Sequence, residues 1–286
     1  MNLNNVIGSA VESMKREAKA TLPAFVQRPV RALFSAARVM RLRVRQYSIA
    51  SPNERFALLQ QQHYGRVRTR EDSLGIIGNY DAHEAYPYEL YLLKSIAEPS
   101  SVDALDFGCG PGRMIRRMSS KCRSVDGVDI STELLAMAPA WLEGIVPVPR
   151  LFKNDGLTLA AVPSASYDLV YSTIALQHIP VYSTRLGLFE EFFRVLRPGG
   201  HLALQMAFSN LPRQQWPQHA VWSDERWNAP DTNGACDVII TSETIPSVAR
   251  TFEQCGFRDF EYELGPVPHA DAVYTNWIFL YCSKQK

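Results

Sequence analysis

The sequence predicts an α/β fold built on a doubly wound, mostly parallel sheet. The first observation is that short apolar segments alternate with segments of helical periodicity, which is typical of parallel strands joined by helices. The second is a glycine-rich turn between the first strand and the helix that follows it. Five strands are expected, at residues 102–107, 125–129, 148–153, 167–172 and 201–208.

The glycine turn reads Gly108-Cys109-Gly110-Pro111-Gly112. Three glycines in this short stretch indicate that the backbone turns sharply and that a ligand approaches it closely. The spacing differs from the G-x-G-x-x-G of dinucleotide enzymes, and no Gly-Lys-Ser/Thr follows to make a P-loop. Asp106 stands two residues before the first glycine. Its charge would repel a phosphate and attract an ammonium or sulfonium group, so a cationic ligand is favoured.

In this stretch the chain resembles the class I methyltransferases that use S-adenosylmethionine (SAM), as in the methyltransferase type 11 and 12 domains. Their first motif, D-x-G-x-G-x-G, matches Asp106 to Gly112 at every fixed position. Asp129 ends the next strand, close to the roughly 20-residue spacing at which an acid meets ribose hydroxyls. The resemblance implies that Asp129 binds the SAM ribose. The alternative is an ordinary N-cap for the helix that begins near Ser131.

The resemblance also implies the rest of the cofactor site. In this family the acid after the third strand contacts the adenine amino group, and Asp155 occupies that place, with Asn154 as its competitor. An aromatic ring before the first strand can cover the sulfonium by cation–π attraction. Tyr80 is the candidate, although Tyr86 and Tyr88 are equally available. The implied cofactor-binding residues are Tyr80, Asp106, Gly108, Cys109, Gly110, Pro111, Gly112, Asp129, Ile130, Asn154, Asp155, Gly156 and Ser172.

The domain organisation follows from the same comparison. The family fold is a Rossmann-like sheet with a C-terminal antiparallel hairpin, which residues 258–264 and 274–282 would supply. We expect the SAM-dependent methyltransferase domain at residues 76–286 and a basic helical N-terminal extension at residues 1–75. Within the domain, residues 209–240 form a long segment without strong periodicity, which predicts an acceptor-binding insert.

Three histidines are candidates for the catalytic base. Methyl transfer to a hydroxyl group requires a base to take the proton, and ligands bind at the carboxyl ends of the strands in such sheets. His178 follows the fourth strand, while His219 and His269 lie after the fifth strand and inside the final hairpin. Each could instead be structural, and a mechanism without a base is also open.

The predicted insert carries Trp216, Trp222 and Trp227 with polar residues between them. Aromatic faces beside polar side chains suit a sugar or an aromatic ring, whereas packing of the tryptophans on the core is the alternative. We therefore expect a small-molecule or saccharide acceptor, methylated at oxygen. A quinone-like lipid or an RNA base is an alternative acceptor. A SAM-binding partner or sensor protein without catalysis is an alternative of another class.

Charge is distributed unevenly along the chain. Residues 1–50 hold nine lysines and arginines against two acidic residues, while the remainder holds 21 against 27. Residues 30–47 combine an apolar stripe at helical spacing with Arg31, Arg38 and Arg45 on another face. Such a helix can lie on an anionic membrane, which fits a lipid-linked precursor as acceptor, or it can pack with a solvated arginine face. The acidic remainder disfavours nucleic acid.

Cysteine usage and hydropathy predict the compartment. The five cysteines are scattered and form no C-x-x-C pair, which indicates reduced thiols and no metal site. No signal peptide or membrane-spanning run is apparent. The expected location is the cytoplasm, with residues 30–47 as a peripheral contact to the inner face of the membrane. The oligomeric state is not predicted.

Overall fold

A mixed sheet covered by helices on both faces forms the fold. The computed structural model describes residues 51–67, 85–223, 236–268 and 273–286, all in the unit Ser51–Lys286. The elements are α1 (Pro52–Tyr64), α2 (Tyr88–Leu92), β1 (Asp103–Phe107), α3 (Arg113–Met118), β2 (Ser124–Asp129), α4 (Thr132–Trp141), β3 (Leu151–Lys153), β4 (Tyr167–Ser172), α5 (Tyr182–Val195), β5 (Leu196–Phe208), β6 (Ala220–Val221), β7 (Val238–Ile240), α6 (Ile245–Gln254), β8 (Arg258–Gly265) and β9 (Asn276–Ser283). Tyr80, Trp227, His269 and residues 30–47 lie outside the described residues.

The sheet confirms the predicted fold class. Strands β3, β2, β1, β4 and β5 lie side by side in this order and run parallel. Strand β9 runs antiparallel to β5, and β8 runs antiparallel to β9. The chain therefore has the doubly wound parallel sheet and the C-terminal antiparallel hairpin that were expected.

Strand β7 extends the sheet where β4 ends. On β5, Leu204 pairs with Ser172 of β4 on one edge and with a β9 residue on the other. Further along, Ala207 pairs with Ile239 of β7 and again with β9. Because a strand has two edges, β7 occupies the edge of β5 that β4 leaves at Ser172. The residue before β7 therefore lies close to the segment that follows β4.

Two apolar cores lie on the two faces of the sheet. Successive side chains of a strand point to opposite faces, so Leu105 and Phe107 enter one core while Ala104 enters the other. The first core packs on α5 and α6, and the second packs on α2 and α3. A parallel sheet buried on both faces requires this arrangement.

Helix α1 has capping residues at both ends, whereas three other elements were not predicted. Ser51 is the N-cap of α1, its Oγ accepts from Glu54 N at 3.5 Å, and Gly65 is the C-cap. Strand β3 begins only at Leu151, and β5 begins earlier than expected, at Leu196. Strands β6 and β7 were not predicted, because they are too short to leave a periodic pattern. Helix α6 was not predicted either, although its ten residues are amphipathic.

Candidate active site

The carboxyl ends of β1, β2 and β4 open into one pocket of about 1040 Å³, including its open mouth. Doubly wound sheets bind ligands at these strand ends. The glycine turn, the ends of β1 and β2, the segment after β4 and helix α1 form the walls. The pocket thus gathers pieces of chain that are far apart in sequence.

The glycine turn forms the floor of this pocket. Gly108, Gly110 and Gly112 have φ angles of +74°, +54° and +95°, a region that favours glycine. A Cβ on Gly108 would lie 2.3 Å from the Cβ of Ala175, so a side chain cannot fit there. The stretch Gly108–Pro111 lines the pocket, whereas Gly112 lies outside the lining and serves as the N-cap of α3.

Asp129 ties the glycine turn to the end of β2. Its Oδ2 accepts from Gly110 N at 2.8 Å, and its Oδ1 accepts from Ser131 N at 2.7 Å. Burial raises the pKa of Asp129, and these backbone donors oppose the shift. Each carboxylate oxygen can accept more than one hydrogen bond, so Asp129 can also receive ligand hydroxyls in the pocket that it lines.

A buried aspartate, Asp106, and a buried arginine, Arg113, both line the pocket. The side chain of Asp106 is 2% exposed, and its Oδ2 has no hydrogen-bond partner among the described residues. Burial raises the pKa of Asp106 to about 8, against the opposing effect of Arg113. The guanidinium of Arg113 lies 5.3 Å from the ring centre of Tyr88. Together, Asp106 and Arg113 complement a ligand that carries both an ammonium and a carboxylate group.

Arg113 was not among the predicted site residues, although its position in the sequence is unusual for a basic residue. Arg113 is the first residue of α3, and the positive end of the helix dipole disfavours a cation there. A basic residue at that position, next to a ligand-binding turn, indicates a role other than helix stability.

The structure separates Asn154 from Asp155. Asn154 is buried, lines the pocket, and has an Oδ1 without a partner among the described residues. Asp155 is exposed and lies outside the pocket lining. Its carboxylate accepts from Leu157 N at 2.8 Å and Thr158 N at 2.7 Å, which turns it away into a local loop. Of the two candidates, Asn154 is therefore the one that lines the pocket.

The three remaining candidates, Ile130, Gly156 and Ser172, differ in their surroundings. Ile130 and Gly156 line the pocket, as expected of cofactor-binding residues. Ser172 is fully buried outside the lining, and its Oγ donates to Phe107 O at 2.8 Å. Ser172 thus holds the ends of β1 and β4 together.

His178 is the described histidine that lines the pocket. Its Nδ1 lies 2.5 Å from Oδ1 of Asp237, the residue before β7. Burial lowers the pKa of His178, but Asp237 raises it by more, so the pKa lies above its ordinary value. His219 is buried outside the pocket lining, and its Nδ1 accepts from Asp237 N at 3.1 Å. This bond gives His219 a structural place instead of the expected catalytic one.

A strained residue holds the segment that carries His178. Ile174 has φ +67° and ψ −35°, a conformation that β-branched residues rarely adopt. Its N–H donates to Oε1 of the buried Gln205 at 2.7 Å. Ile174 lines the pocket just before the short helix Ala175–His178. Such strain persists only where the surroundings impose it, and it often marks functional sites.

Helix α1 supplies a wall that the sequence analysis assigned to the N-terminal extension. Phe56, Ala57, Gln60 and Tyr64 line the pocket from this helix. Burial raises the pKa of Tyr64, with a contribution from the negative charges of Asp129 and Asp237. Helix α1 thus adds Phe56 and Tyr64 to the aromatic lining beside Phe107 of β1, whereas Tyr86 and Tyr88 lie outside the lining.

Two of the three tryptophans in the predicted insert belong to the core. Trp216 and Trp222 are 1% and 0% exposed. Their Nε1 atoms donate to Leu211 O at 3.1 Å and to Thr251 Oγ1 at 3.2 Å. The expectation that they present aromatic faces to an acceptor is wrong for these two residues, because both indole rings are buried in the core.

Among the described residues, no group of three or more His, Cys, Asp or Glu side chains could hold a metal ion. No helix in those ranges is both long and apolar enough to cross a bilayer.

Comparison with known proteins identifies the central part of the chain. Residues 105–204 match the family model of a methyltransferase domain. The trans-aconitate 2-methyltransferase of Variovorax paradoxus is 31% identical over 50% of this chain and 52% of its own length. The malonyl-[acyl-carrier protein] O-methyltransferase of Enterobacter lignolyticus is 29% identical over 59% of each chain. The matches thus span little more than half of these relatives.

Solved structures share the fold. Phosphoethanolamine N-methyltransferase 2 of Haemonchus contortus, in complex with phosphomonomethylethanolamine and S-adenosylhomocysteine (SAH), has a TM-score of 0.56 and 16% identity. The match covers 79% of this chain and 60% of that one. A SAM-dependent methyltransferase of Methanosarcina mazei has a TM-score of 0.52 and 21% identity, covering 70% and 98%. At such identities the likeness concerns the fold.

Proposed function

We propose that this protein, whose residues 105–204 match the family model of a methyltransferase domain, transfers a methyl group from SAM to an oxygen atom of a small-molecule acceptor. One observation carries the proposal. A single pocket contains the glycine turn, two buried acids and a histidine oriented by a third acid. The first two features suit SAM, and the third suits the removal of a proton from a hydroxyl group.

The pocket residues fit the parts of SAM. The unpartnered Oδ2 of Asp106 would accept from the SAM ammonium group, and Arg113 would bind the SAM carboxylate. Asp129 would accept from the ribose hydroxyls while holding the turn. The unpartnered Oδ1 of Asn154 would accept from the adenine amino group. Buried acceptors without partners are costly, which supports a polar ligand at these points.

The chain's own residues would align the acceptor and remove its proton. When bound, SAM supplies the methyl group at a carbon that its sulfonium activates. His178 would accept the acceptor's hydroxyl proton on Nε2 as the oxygen forms its new bond. Phe56, Ile174 and Ile179 line the same pocket and would keep water from the reacting atoms.

The proposal is tested by measuring SAH formation with a panel of acceptors. The panel contains phenols, quinols and sugars, and also trans-aconitate and malonyl-acyl carrier protein, for which two relatives are named. We expect SAH together with an equal amount of an O-methylated hydroxyl compound. Methylation of a carboxylate, which needs no base, would support the enzyme but contradict the role of His178. SAM binding without turnover of any acceptor would favour a SAM-binding partner or sensor protein.

The two more specific acceptor classes, a saccharide and a lipid-linked precursor, are supported by the sequence alone. A saccharide acceptor was expected from the tryptophans of the insert, and Trp216 and Trp222 no longer support it. The remaining support for a saccharide acceptor is the sequence pattern of Trp227 and the polar residues around it. A lipid-linked precursor rests on residues 30–47, whose arginines would bind anionic lipid at the inner face of the membrane.

Membrane contact is tested in the full-length chain by replacing Arg31, Arg38 and Arg45 together with glutamine. Each basic residue near an anionic surface contributes about 1 kcal/mol, so the variant should bind anionic vesicles roughly 100-fold less tightly. Co-sedimentation with vesicles of phosphatidylserine and phosphatidylcholine measures this, and pure phosphatidylcholine is the control. Equal binding of the variant and the original chain to anionic vesicles would contradict the contact.

A further inference from the structure

We propose that Asp237 and Tyr274 are positioning residues that hold the His178 imidazole in the form that accepts a proton from the acceptor. The inference rests on the proposed function, in which His178 is the base. Neither the sequence pattern nor the comparisons assign a role to Asp237 or Tyr274. The inference gives both residues a part in the transfer of the proton to His178.

The side-chain contacts define the form of His178. The carboxylate of Asp237 is 7% exposed, and its Oδ1 lies 2.5 Å from His178 Nδ1. The hydroxyl of Tyr274 donates to the other oxygen, Oδ2. A carboxylate only accepts hydrogen bonds, so the proton of the neutral ring must lie on Nδ1. The lone pair is then on Nε2, the ring nitrogen that Asp237 does not contact.

The backbone of Asp237 is held as firmly as its side chain. Its N–H donates to Nδ1 of His219 at 3.1 Å, and its carbonyl accepts from Ala220 N at 2.8 Å. All polar groups of Asp237 therefore have partners: the backbone bonds fix the position of the residue, and the carboxylate cannot turn away from His178 without also losing its bond to Tyr274. Fixing the orientation of a base in advance is what efficient proton transfer requires.

Charges around the pair favour the same arrangement. Burial raises the pKa of Asp237, but His178 and Tyr274 lower it by more, so this carboxyl stays ionised at neutral pH. Burial lowers the pKa of the neighbouring His63, and Arg66 and His178 lower it further, which keeps that ring neutral. The titratable groups that face the pair are His63, Tyr64, His219 and Tyr274.

The network joins three separate parts of the chain. His178 follows β4, Asp237 precedes β7 and Tyr274 precedes β9. They meet because β7 pairs with β5 beyond the end of β4, while β9 pairs with the other edge of β5. His178 is therefore oriented only when β7 and β9 have both paired with β5.

The main test replaces Asp237 with asparagine. The amide keeps the shape, removes the charge, and can accept from only one of the two donors. We expect kcat to fall about tenfold or more, as part of the contribution of a general base, with an unchanged KM for SAM. The acid limb of the kcat–pH profile should move to lower pH, because the charge that raises the pKa of His178 is gone. Asp237→Glu should restore part of kcat, and the exposed Glu243→Gln is the control.

A spectroscopic measurement needs no turnover. Nitrogen-15 NMR of the histidine-labelled chain, assigned with His178→Gln, should show the neutral His178 proton on Nδ1. In Asp237→Asn, the same ring should titrate at lower pH. A proton on Nε2 in the original chain, or an unchanged titration in the variant, would overturn the inference.

A second variant covers the case in which Asp237→Asn does not fold. Tyr274→Phe removes one hydrogen bond, and we expect kcat to fall about 2- to 10-fold, which corresponds to roughly 0.5–1.5 kcal/mol. The exposed Tyr262→Phe is the matched control. An unchanged kcat would remove Tyr274 from the network.

The two hypotheses fail in different ways. If His178→Ala is inactive while Asp237→Asn and Tyr274→Phe behave like the original chain, the positioning role is wrong and the base remains. If His178→Ala keeps its kcat, the proposed role of His178 as base is wrong, and the positioning role fails with it.

Discussion

Replacing His178 with alanine is expected to lower kcat by about 100- to 10,000-fold, which is the usual contribution of a general base. SAM affinity should not change, because Asp106, Asp129 and the glycine turn remain in place. Steady-state kinetics with a hydroxyl acceptor measures the first quantity, and calorimetric titration with SAM measures the second. His201→Asn is the matched control, since His201 lies on β5 outside the pocket lining.

The pH dependence of kcat provides a second readout of the same residue. Protonated His178 cannot accept a proton, so kcat should fall as the pH drops through the pKa of His178. Against the opposing effect of burial, Asp237 raises this pKa above the ordinary 6.5. The loss is therefore expected at higher pH than an isolated histidine would show. A kcat that is insensitive to pH between 5 and 8 would contradict a histidine base.

Replacing Asp129 with alanine is expected to weaken SAM binding by more than about 100-fold. Two charge-assisted hydrogen bonds to the ribose would be lost, each worth roughly 1.5–3 kcal/mol, and about 1.4 kcal/mol corresponds to a factor of ten. The same change leaves Gly110 N and Ser131 N without their acceptors. Each such buried donor costs about 1–3 kcal/mol, so the melting temperature should fall as well.

The two effects of Asp129→Ala can be separated. Asp129→Asn retains one acceptor oxygen for the backbone, so it should unfold at a higher temperature than the alanine variant and still bind SAM weakly. Glu143→Ala, at an exposed position, is the control for the effect of losing a carboxylate elsewhere on SAM affinity and melting temperature. Full SAM affinity in a folded Asp129→Ala chain would exclude Asp129 from the cofactor site.

The features that could be predicted are the local ones. The strand, the glycine turn and Asp106 are contiguous, and their spacing alone indicated a close approach to a cationic ligand. Asp129 required only one further strand, because neighbouring parallel strands end at the same edge of the sheet. The capping residues Ser51 and Gly65 mark the ends of helix α1, but nothing in residues 52–64 encodes that the helix covers the pocket.

The features that could not be predicted depend on tertiary contacts. Asp237 meets His178 only because the three-residue strand β7 pairs with the end of β5. Such a short strand has no detectable period, so the acid before it looked like part of an irregular segment. Trp216 and Trp222 had a composition suited to a binding loop, yet their indole N–H groups find partners in the core.

The exchange of Asp155 for Asn154 has a local cause that the sequence contained. An aspartate followed by Gly156 favours a turn in which its side chain accepts from the backbone two or three residues on. The bonds to Leu157 N and Thr158 N are of this kind. This turn chemistry explains why the Asp155 side chain bonds to its own loop, while Asn154 lines the pocket.

Calorimetric titration of the full-length chain with SAM and SAH tests the central claim most directly. We expect both to bind at one site per chain, and we expect Asp129→Ala to weaken the binding of both by more than about 100-fold while Glu143→Ala leaves it unchanged. If the folded original chain bound neither SAM nor SAH, with or without the acceptor panel present, the pocket would not be a cofactor site and the proposed methyl transfer would be contradicted.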